Sequence, residues 1–72
     1  MLATGKYKHY KGKEYEVLGI AHHSETLEEL VVYKALYATD DFGYGALWVR
    51  PLKMFEEEII VNGTPVKRFQ KL

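Results

Sequence analysis

Side chains able to bind or react with a ligand concentrate in two short stretches of this chain. Residues 22–25 read HHSE, and residues 48–51 read WVRP. Imidazole and carboxylate groups can hold a metal ion or move a proton. A guanidinium beside an indole instead suits recognition of a carboxylate, a phosphate or a segment of backbone. Each of these chemistries needs partners from elsewhere in the chain, so the predicted strands decide which one can assemble.

The imidazole-rich stretch suggests a small hydrolytic or metal-dependent enzyme. His9, His23 and Glu25 would make an open three-ligand site if the first two strands pair nearby. The chain has no cysteine, so thiolate ligands and disulfides are excluded. Ser24 or Thr26 activated by His23 is disfavoured, because successive residues do not easily form the hydrogen-bond chain of a catalytic triad. We therefore predict no catalytic residue, no bound metal and no cofactor, and keep this enzyme as the second alternative.

The tryptophan and arginine indicate a binding surface. Alternation along a strand places positions 48 and 50 on the same face, where the indole and guanidinium would form a shelf. Tyrosines beside them would complete an aromatic groove of the kind that binds extended peptides. We predict a non-enzymatic module for a peptide or protein partner. Its ligand-binding residues are expected to be Tyr10, His23, Glu25, Tyr33, Trp48 and Arg50.

The opposing interpretation makes the same two residues purely structural. Trp48 would then lie in the core, and Arg50 would pair with Glu25 or Glu29 to hold down the corner after the second strand. Exposure of the indole and the charge partner of the guanidinium distinguish the two interpretations.

The charge balance bears on nucleic-acid binding. Ten basic and ten acidic residues give a formal net charge of zero, which disfavours binding to many phosphates. The bases nevertheless cluster near the two termini: Lys6, Lys8, Lys11, Lys13, Lys67, Arg68 and Lys71. Binding of RNA or single-stranded DNA through these residues and interleaved tyrosines is therefore the first alternative. No run approaches the ~20 apolar residues of a membrane span, and the start lacks a secretory signal, so we expect a cytoplasmic protein.

Short β-type runs separated by turn residues organise the chain. We predict strands over residues 6–10, 14–22, 30–38, 46–50 and 57–61, and a last short strand ending at Phe69. Gly19 inside the second run predicts a bulge that curls the sheet. Asn62-Gly63 is a strong hairpin signal.

Two single helical turns are also predicted. Thr26 to Glu29 fits a capping box, with room for one turn before the β-forming residues that follow. Residues 51–55 fit one 3₁₀ turn that would bury Leu52, Met54 and Phe55.

These elements predict a mainly β protein with one domain over residues 1–72. The expected architecture is a small half-open SH3-like β-barrel of five to six antiparallel strands with a short helical turn. The runner-up is an oligonucleotide/oligosaccharide-binding barrel. That fold normally has a longer helix after its third strand, and residues 39–45 leave no room for one.

The motifs GKYKHYKG, YEV, HSET, ELVVYKALY, WVRP and MF resemble the bacterial family known as domain of unknown function 1653 (DUF1653). The resemblance covers about residues 5 to 69, and the loop 38–45 is a few residues longer than the short family version. The family has no assigned activity. The resemblance therefore implies a compact bacterial β domain of unknown function and gives no reaction.

Overall fold

The protein is mainly β, as the sequence predicted. A computed structural model describes residues 2–72. These residues form β1 (Gly5–His9), β2 (Glu14–His22), β3 (Glu29–Ala35), β4 (Ala38–Thr39), β5 (Gly43–Tyr44), β6 (Leu47–Pro51), α1 (Leu52–Phe55), β7 (Glu58–Val61), β8 (Thr64–Lys67) and β9 (Phe69–Lys71).

Five strands make one antiparallel sheet in the order β6-β3-β2-β1-β9. The pairs β4–β5 and β7–β8 are separate two-stranded hairpins. The apolar strand β3 lies inside the sheet between β2 and β6, as expected for its valine-rich sequence. Val31, Tyr33 and Ala35 point to one face and are buried there, the alternation typical of a strand.

The sheet is strongly curled. Its register shifts between Val17 and Gly19, which confirms the predicted bulge and leaves Leu18 as the extra residue. Across a flat sheet the edge strands β6 and β9 would be about 19 Å apart. Instead, the Arg50 guanidinium of β6 lies 5.6 Å from the ring centre of Phe69 in β9. The edges meet only through side chains. Within residues 2–72 no strand pairing joins them, so the sheet does not close into a barrel.

Aromatic rings fill the inside of the curl. Phe55 of α1 stacks on Phe69 with ring centres 4.1 Å apart and planes 5° from parallel. Tyr7 and Tyr33 approach Phe55 edge-on from β1 and β3. Large rings bury much apolar area for each residue ordered, which matters in a domain with so small a core.

The two turns adjoining the sheet differ from their predictions. The Thr26 hydroxyl accepts the Glu28 N–H as a cap would, but Leu27 has a φ of 63° and no helix follows. The turn near Pro51 is a four-residue α-helical turn rather than 3₁₀. It buries Phe55 and packs Leu52 against the core. Met54 is 45% exposed, so its predicted burial was wrong: residues three apart share a helix face, and Met54 lies off it.

The C-terminal part of the chain also departs from the predicted single last strand. Asn62 and Gly63 both have positive φ and close the β7–β8 hairpin as predicted. The chain then bends at Arg68, and β9 joins β1 in the main sheet. The predicted fifth strand is thus part of the separate hairpin. No helix among residues 2–72 has the length and apolar character needed to cross a membrane.

Replacing Phe55 by alanine tests the aromatic core. Phe55 is 1% exposed, so Phe55→Ala should lower the free energy of unfolding by about 3–5 kcal/mol. The neighbouring Met54→Ala removes an exposed side chain and should cost less than about 1 kcal/mol. Urea denaturation followed by circular dichroism measures both. Equal losses for the two variants would contradict the proposed core.

Candidate functional site

Strand register places Trp48 and Arg50 on the inner face of the curled sheet. Trp48 lies opposite Tyr33, which in turn lies opposite Val17. Arg50 lies opposite the fully buried Val31. Residues directly opposite in an antiparallel pair share a face, so the indole, the guanidinium and the Tyr33 ring are on the same side.

Two contacts hold the Arg50 side chain across this face. Its Nε donates a hydrogen bond of 3.3 Å to the Tyr33 hydroxyl. Its guanidinium carbon lies 5.6 Å from the centre of the Phe69 ring, within cation–π range. Both partners are themselves buried, so they fix the guanidinium more firmly than mobile surface groups would. We use the name Arg50 cluster for five residues: Arg50, its partners Tyr33 and Phe69, His9, whose ring contacts Phe69, and Trp48, which lies on the same face of β6.

No carboxylate neutralises Arg50 within residues 2–72. The ion pairs of this part of the chain are Lys6–Glu14 and Arg68–Glu57. The pairing of Arg50 with Glu25 or Glu29, which a purely structural role required, is not formed. A half-buried cation without a counter-ion costs desolvation energy that an acid would otherwise offset. Such a charge is a candidate binding group.

His9 faces the same region from β1. Its ring lies 4.9 Å from Phe69, edge to face. Its Nδ1 accepts the backbone N–H of Lys11, which leaves the proton of the neutral ring on Nε2. Burial lowers the pKa of His9, and the positive charges of Arg50, Arg68 and Lys11 lower it further. The imidazole is therefore neutral at neutral pH, and Arg50 is the uncompensated charge of the cluster.

Two further tyrosines border the cluster. The hydroxyls of Tyr15 and Tyr37 share a hydrogen bond of 2.5 Å, and the Tyr15 ring contacts both Tyr33 and Phe69. Burial and the hydrogen bond to Tyr37 raise the pKa of Tyr15 above its usual value. Tyr15 therefore stays protonated and adds no negative charge beside Arg50.

Trp48 is accessible. It is 38% exposed and packs edge-to-face on Phe42, which is itself 63% exposed, with ring centres 5.5 Å apart. The two rings, with Ala46 and Leu47, line a shallow cavity of about 170 Å³. Phe42 belongs to the loop between β4 and β5. No sequence pattern linked that loop to Trp48, and the contact was not predicted.

The backbone beside Trp48 is also open. β6 is an edge strand, and among residues 2–72 its partner in the sheet is β3 alone. The Ala35 N–H donates to the Ala46 carbonyl, so alternation directs the peptide groups of residues 48 and 50 towards β3. The peptide groups of Leu47 and Val49 consequently face outward. Both side chains are at least 60% exposed. We call this row the β6 edge.

The other predicted site residues lie in two places. Tyr10 is 39% exposed and contacts His9, with ring centres 4.5 Å apart and ring planes tilted by 35°, so it adjoins the Arg50 cluster. His23 and Glu25 lie in the corner after β2. There the His23 Nδ1 accepts the backbone N–H groups of Glu25 and Thr26, which stabilises the turn. The structure does not bring this corner into the Arg50 cluster by any contact.

The residues of the enzyme alternative are far apart. His9 lies beside the start of β2, whereas His23 and Glu25 follow its end, on the order of 25 Å away along the strand. Among residues 2–72 no group of three or more histidines or acids is placed to hold a metal ion. The Nδ1 atoms of both histidines already accept backbone hydrogen bonds.

Comparison with known proteins agrees with the sequence motifs. A family model described as protein of unknown function (DUF1653) matches residues 5–71. The chain belongs to the DUF1653 family. The fold is similar to the crystal structure of a DUF1653 protein from Bordetella bronchiseptica, with a TM-score of 0.88 and 35% identity over 99% of this chain and 87% of that one. No curated protein matches the sequence. Membership of the DUF1653 family assigns no activity to the chain.

Titration of His9 tests the electrostatics of the cluster. Arg50→Gln removes a nearby positive charge and should raise the pKa of His9 towards its ordinary value of 6.5. Lys53→Gln removes an exposed charge from α1 and should leave that pKa unchanged. Two-dimensional NMR of the imidazole resonances against pH gives both values. An unchanged His9 pKa in Arg50→Gln would show that the two side chains are not close in solution.

Proposed function

We propose that this DUF1653 protein is a non-enzymatic binding module that takes an extended segment of a peptide or protein partner at the Arg50 cluster and the β6 edge. The observation that carries the proposal is an arginine fixed on an aromatic face with no counter-ion among residues 2–72, next to a half-exposed tryptophan. We regard the curled sheet with its unpaired edges as a half-open SH3-like barrel, in which such a face is open to a ligand.

The chemistry of the cluster supports recognition rather than catalysis. Arginine and tryptophan are over-represented among the residues that contribute most to binding at protein interfaces. Trp48 and Phe42 offer apolar area, and Arg50 offers hydrogen-bond donors in a fixed plane. A nucleophile with an adjacent base is not part of the cluster, and His9, its titratable base, uses Nδ1 within its own turn.

The β6 edge supports a particular mode of binding. An extended peptide can add to an exposed edge as a further strand, with backbone hydrogen bonds giving affinity and alternate side chains giving specificity. The outward peptide groups of Leu47 and Val49 would pair with such a strand. The inward-facing side chains of the added strand would then lie beside Trp48, on the same face as Arg50.

The nucleic-acid alternative has weaker support. Pairing of β1 with β9 does bring the two basic clusters of the chain together. Lys6 and Lys8, however, lie opposite Glu16 and Glu14 in β2, and Lys6 approaches Glu14 at 4.0 Å. These acids offset the positive potential that phosphate binding needs.

Selection of peptides tests the proposal directly. We expect a random 12-residue peptide library panned against the immobilised protein to yield specific binders. Trp48→Ala should weaken those binders at least about tenfold, the scale of an aromatic hot spot. Leu18→Ala, at a residue that is 47% exposed in the β2 bulge, is the matched control and should bind normally. Failure to enrich any peptide, or equal binding by the two variants, would refute the proposal.

Strand addition makes a further prediction about the selected peptide. N-methylation removes one backbone donor at a time, and only alternate residues of an added strand point their N–H groups at β6. Affinity measured by calorimetry for a series of singly N-methylated peptides should therefore fall at every second position. A uniform loss, or none, would argue against pairing at the β6 edge.

A further inference from the structure

We infer that the group Arg50 recognises is a carboxylate carried by the bound peptide. This inference rests on the proposed function, because it takes the peptide as the source of the carboxylate. Peptide binding at the β6 edge does not by itself say which chemical group of the peptide Arg50 binds, and the inference assigns that group.

The free side of the guanidinium is its terminal side. Arg50 makes one side-chain hydrogen bond within residues 2–72, from Nε to the Tyr33 hydroxyl, so its two Nη groups have no protein acceptor there. Among residues 2–72, Arg68 Nε is the one side-chain nitrogen that is buried and has no hydrogen-bond partner. The Nη atoms of Arg50 are therefore not both buried and unpartnered. The two Nη groups therefore reach solvent while the rest of the side chain is held.

The geometry of that side suits a planar anion. Two parallel N–H donors match the two oxygens of a carboxylate, which accept them in a bidentate pair. Tyr33 and Phe69 fix the plane of the guanidinium, so less side-chain freedom is lost when the pair forms. The half-exposed indole of Trp48, on the same face, can cover one side of the ligand.

The net charge of the cluster favours a single negative charge. Arg68 donates to Glu57 at 2.6 Å, and this ion pair is neutral as a whole. His9 is neutral, and the Tyr15 hydroxyl stays protonated. One positive charge remains on a largely aromatic surface. A carboxylate matches it, whereas a dianionic phosphate would bring a second charge into a poorly solvated place without a cation for it.

Small probes test the charge and shape of the ligand without any peptide. We would titrate the full chain with benzoate, with its neutral isostere benzamide and with inorganic phosphate, at constant ionic strength, and follow the Arg50 Nε–H and Trp48 indole resonances by NMR. Benzoate should give saturable shifts and bind at least tenfold more tightly than benzamide. Equal binding by benzamide, or binding by phosphate as tight as that by benzoate, would overturn the inference.

Capped tripeptides distinguish the two sources of a carboxylate in a peptide. Acetyl-Ala-Ala-Ala with a free C-terminus carries a main-chain carboxylate, and acetyl-Ala-Glu-Ala-amide carries a side-chain carboxylate. Acetyl-Ala-Ala-Ala-amide is the neutral control. At least one of the acidic peptides should shift the Arg50 resonance with an affinity tenfold above the control. If neither does, the inference is wrong even when library peptides bind. If an acidic tripeptide binds but the library yields no ligand, the proposed function fails and the carboxylate site stands.

Variants identify Arg50 as the group responsible. Arg50→Gln should abolish benzoate binding, and Lys53→Gln should leave it unchanged. Tyr33→Phe keeps the ring but removes the acceptor that positions Nε, and should weaken binding by about threefold to tenfold, the worth of one hydrogen bond. Benzoate binding that survives in folded Arg50→Gln would overturn the inference. Should that variant fail to fold, full retention of benzoate affinity in Tyr33→Phe would do the same.

Discussion

The curl of the five-stranded sheet is the constraint on which the rest of the structure depends. Gly19 and the extra residue Leu18 interrupt the register of β2 and allow that strand to bend. The bend brings β6 and β9, the outer strands of the sheet, to opposite sides of one aromatic core. Phe69 then lies within reach of β3, α1 and Arg50 together. A flat sheet of the same strands would have neither this core nor the Arg50 cluster.

The aromatic core and the candidate site are one continuous layer. Tyr33 packs on Phe55 and Phe69 inside the core. Its hydroxyl, at the border between the core and the candidate site, accepts a hydrogen bond from Arg50 Nε. Tyrosine suits this position because its ring can be buried while its hydroxyl meets a polar partner. The guanidinium is thus held by the same residues that stabilise the fold. A rigid support of this kind reduces the entropy lost when a ligand binds.

An uncompensated arginine in such a layer is a local conflict with stability. The chain contains ten acidic residues that could pair with Arg50. The other arginine of the chain, Arg68, does have such a partner, because it is paired with Glu57. Partial burial of Arg50, with no acid paired to it among residues 2–72, gives up part of its hydration. The hydrogen bond to Tyr33 and the cation–π contact to Phe69 offset only part of that cost. Departures from local consistency of this sort are typical of functional sites. The exposed Trp48 and the open β6 edge lie beside Arg50.

Local pattern was enough to predict the first two strands of the main sheet, the β2 bulge, the Asn62-Gly63 hairpin and the common face of Trp48 and Arg50. Alternation, glycine placement and turn chemistry are properties of neighbouring residues. The predicted strand 30–38 ends at Ala35, and the short strands β4 and β5 were not predicted. The motifs likewise carried the family resemblance. Sequence did not show that the β7–β8 hairpin leaves the sheet, that Phe42 packs on Trp48, or that Arg50 meets Tyr33 rather than Glu25 or Glu29. The contacts of Phe42 with Trp48, of Arg50 with Tyr33 and of Arg50 with Phe69 join residues 6, 17 and 19 positions apart. They depend on where the curled sheet brings its edges. The residue types of the candidate site were therefore determined by the sequence, whereas the absence of a counter-ion for Arg50 within residues 2–72 was decided by tertiary packing.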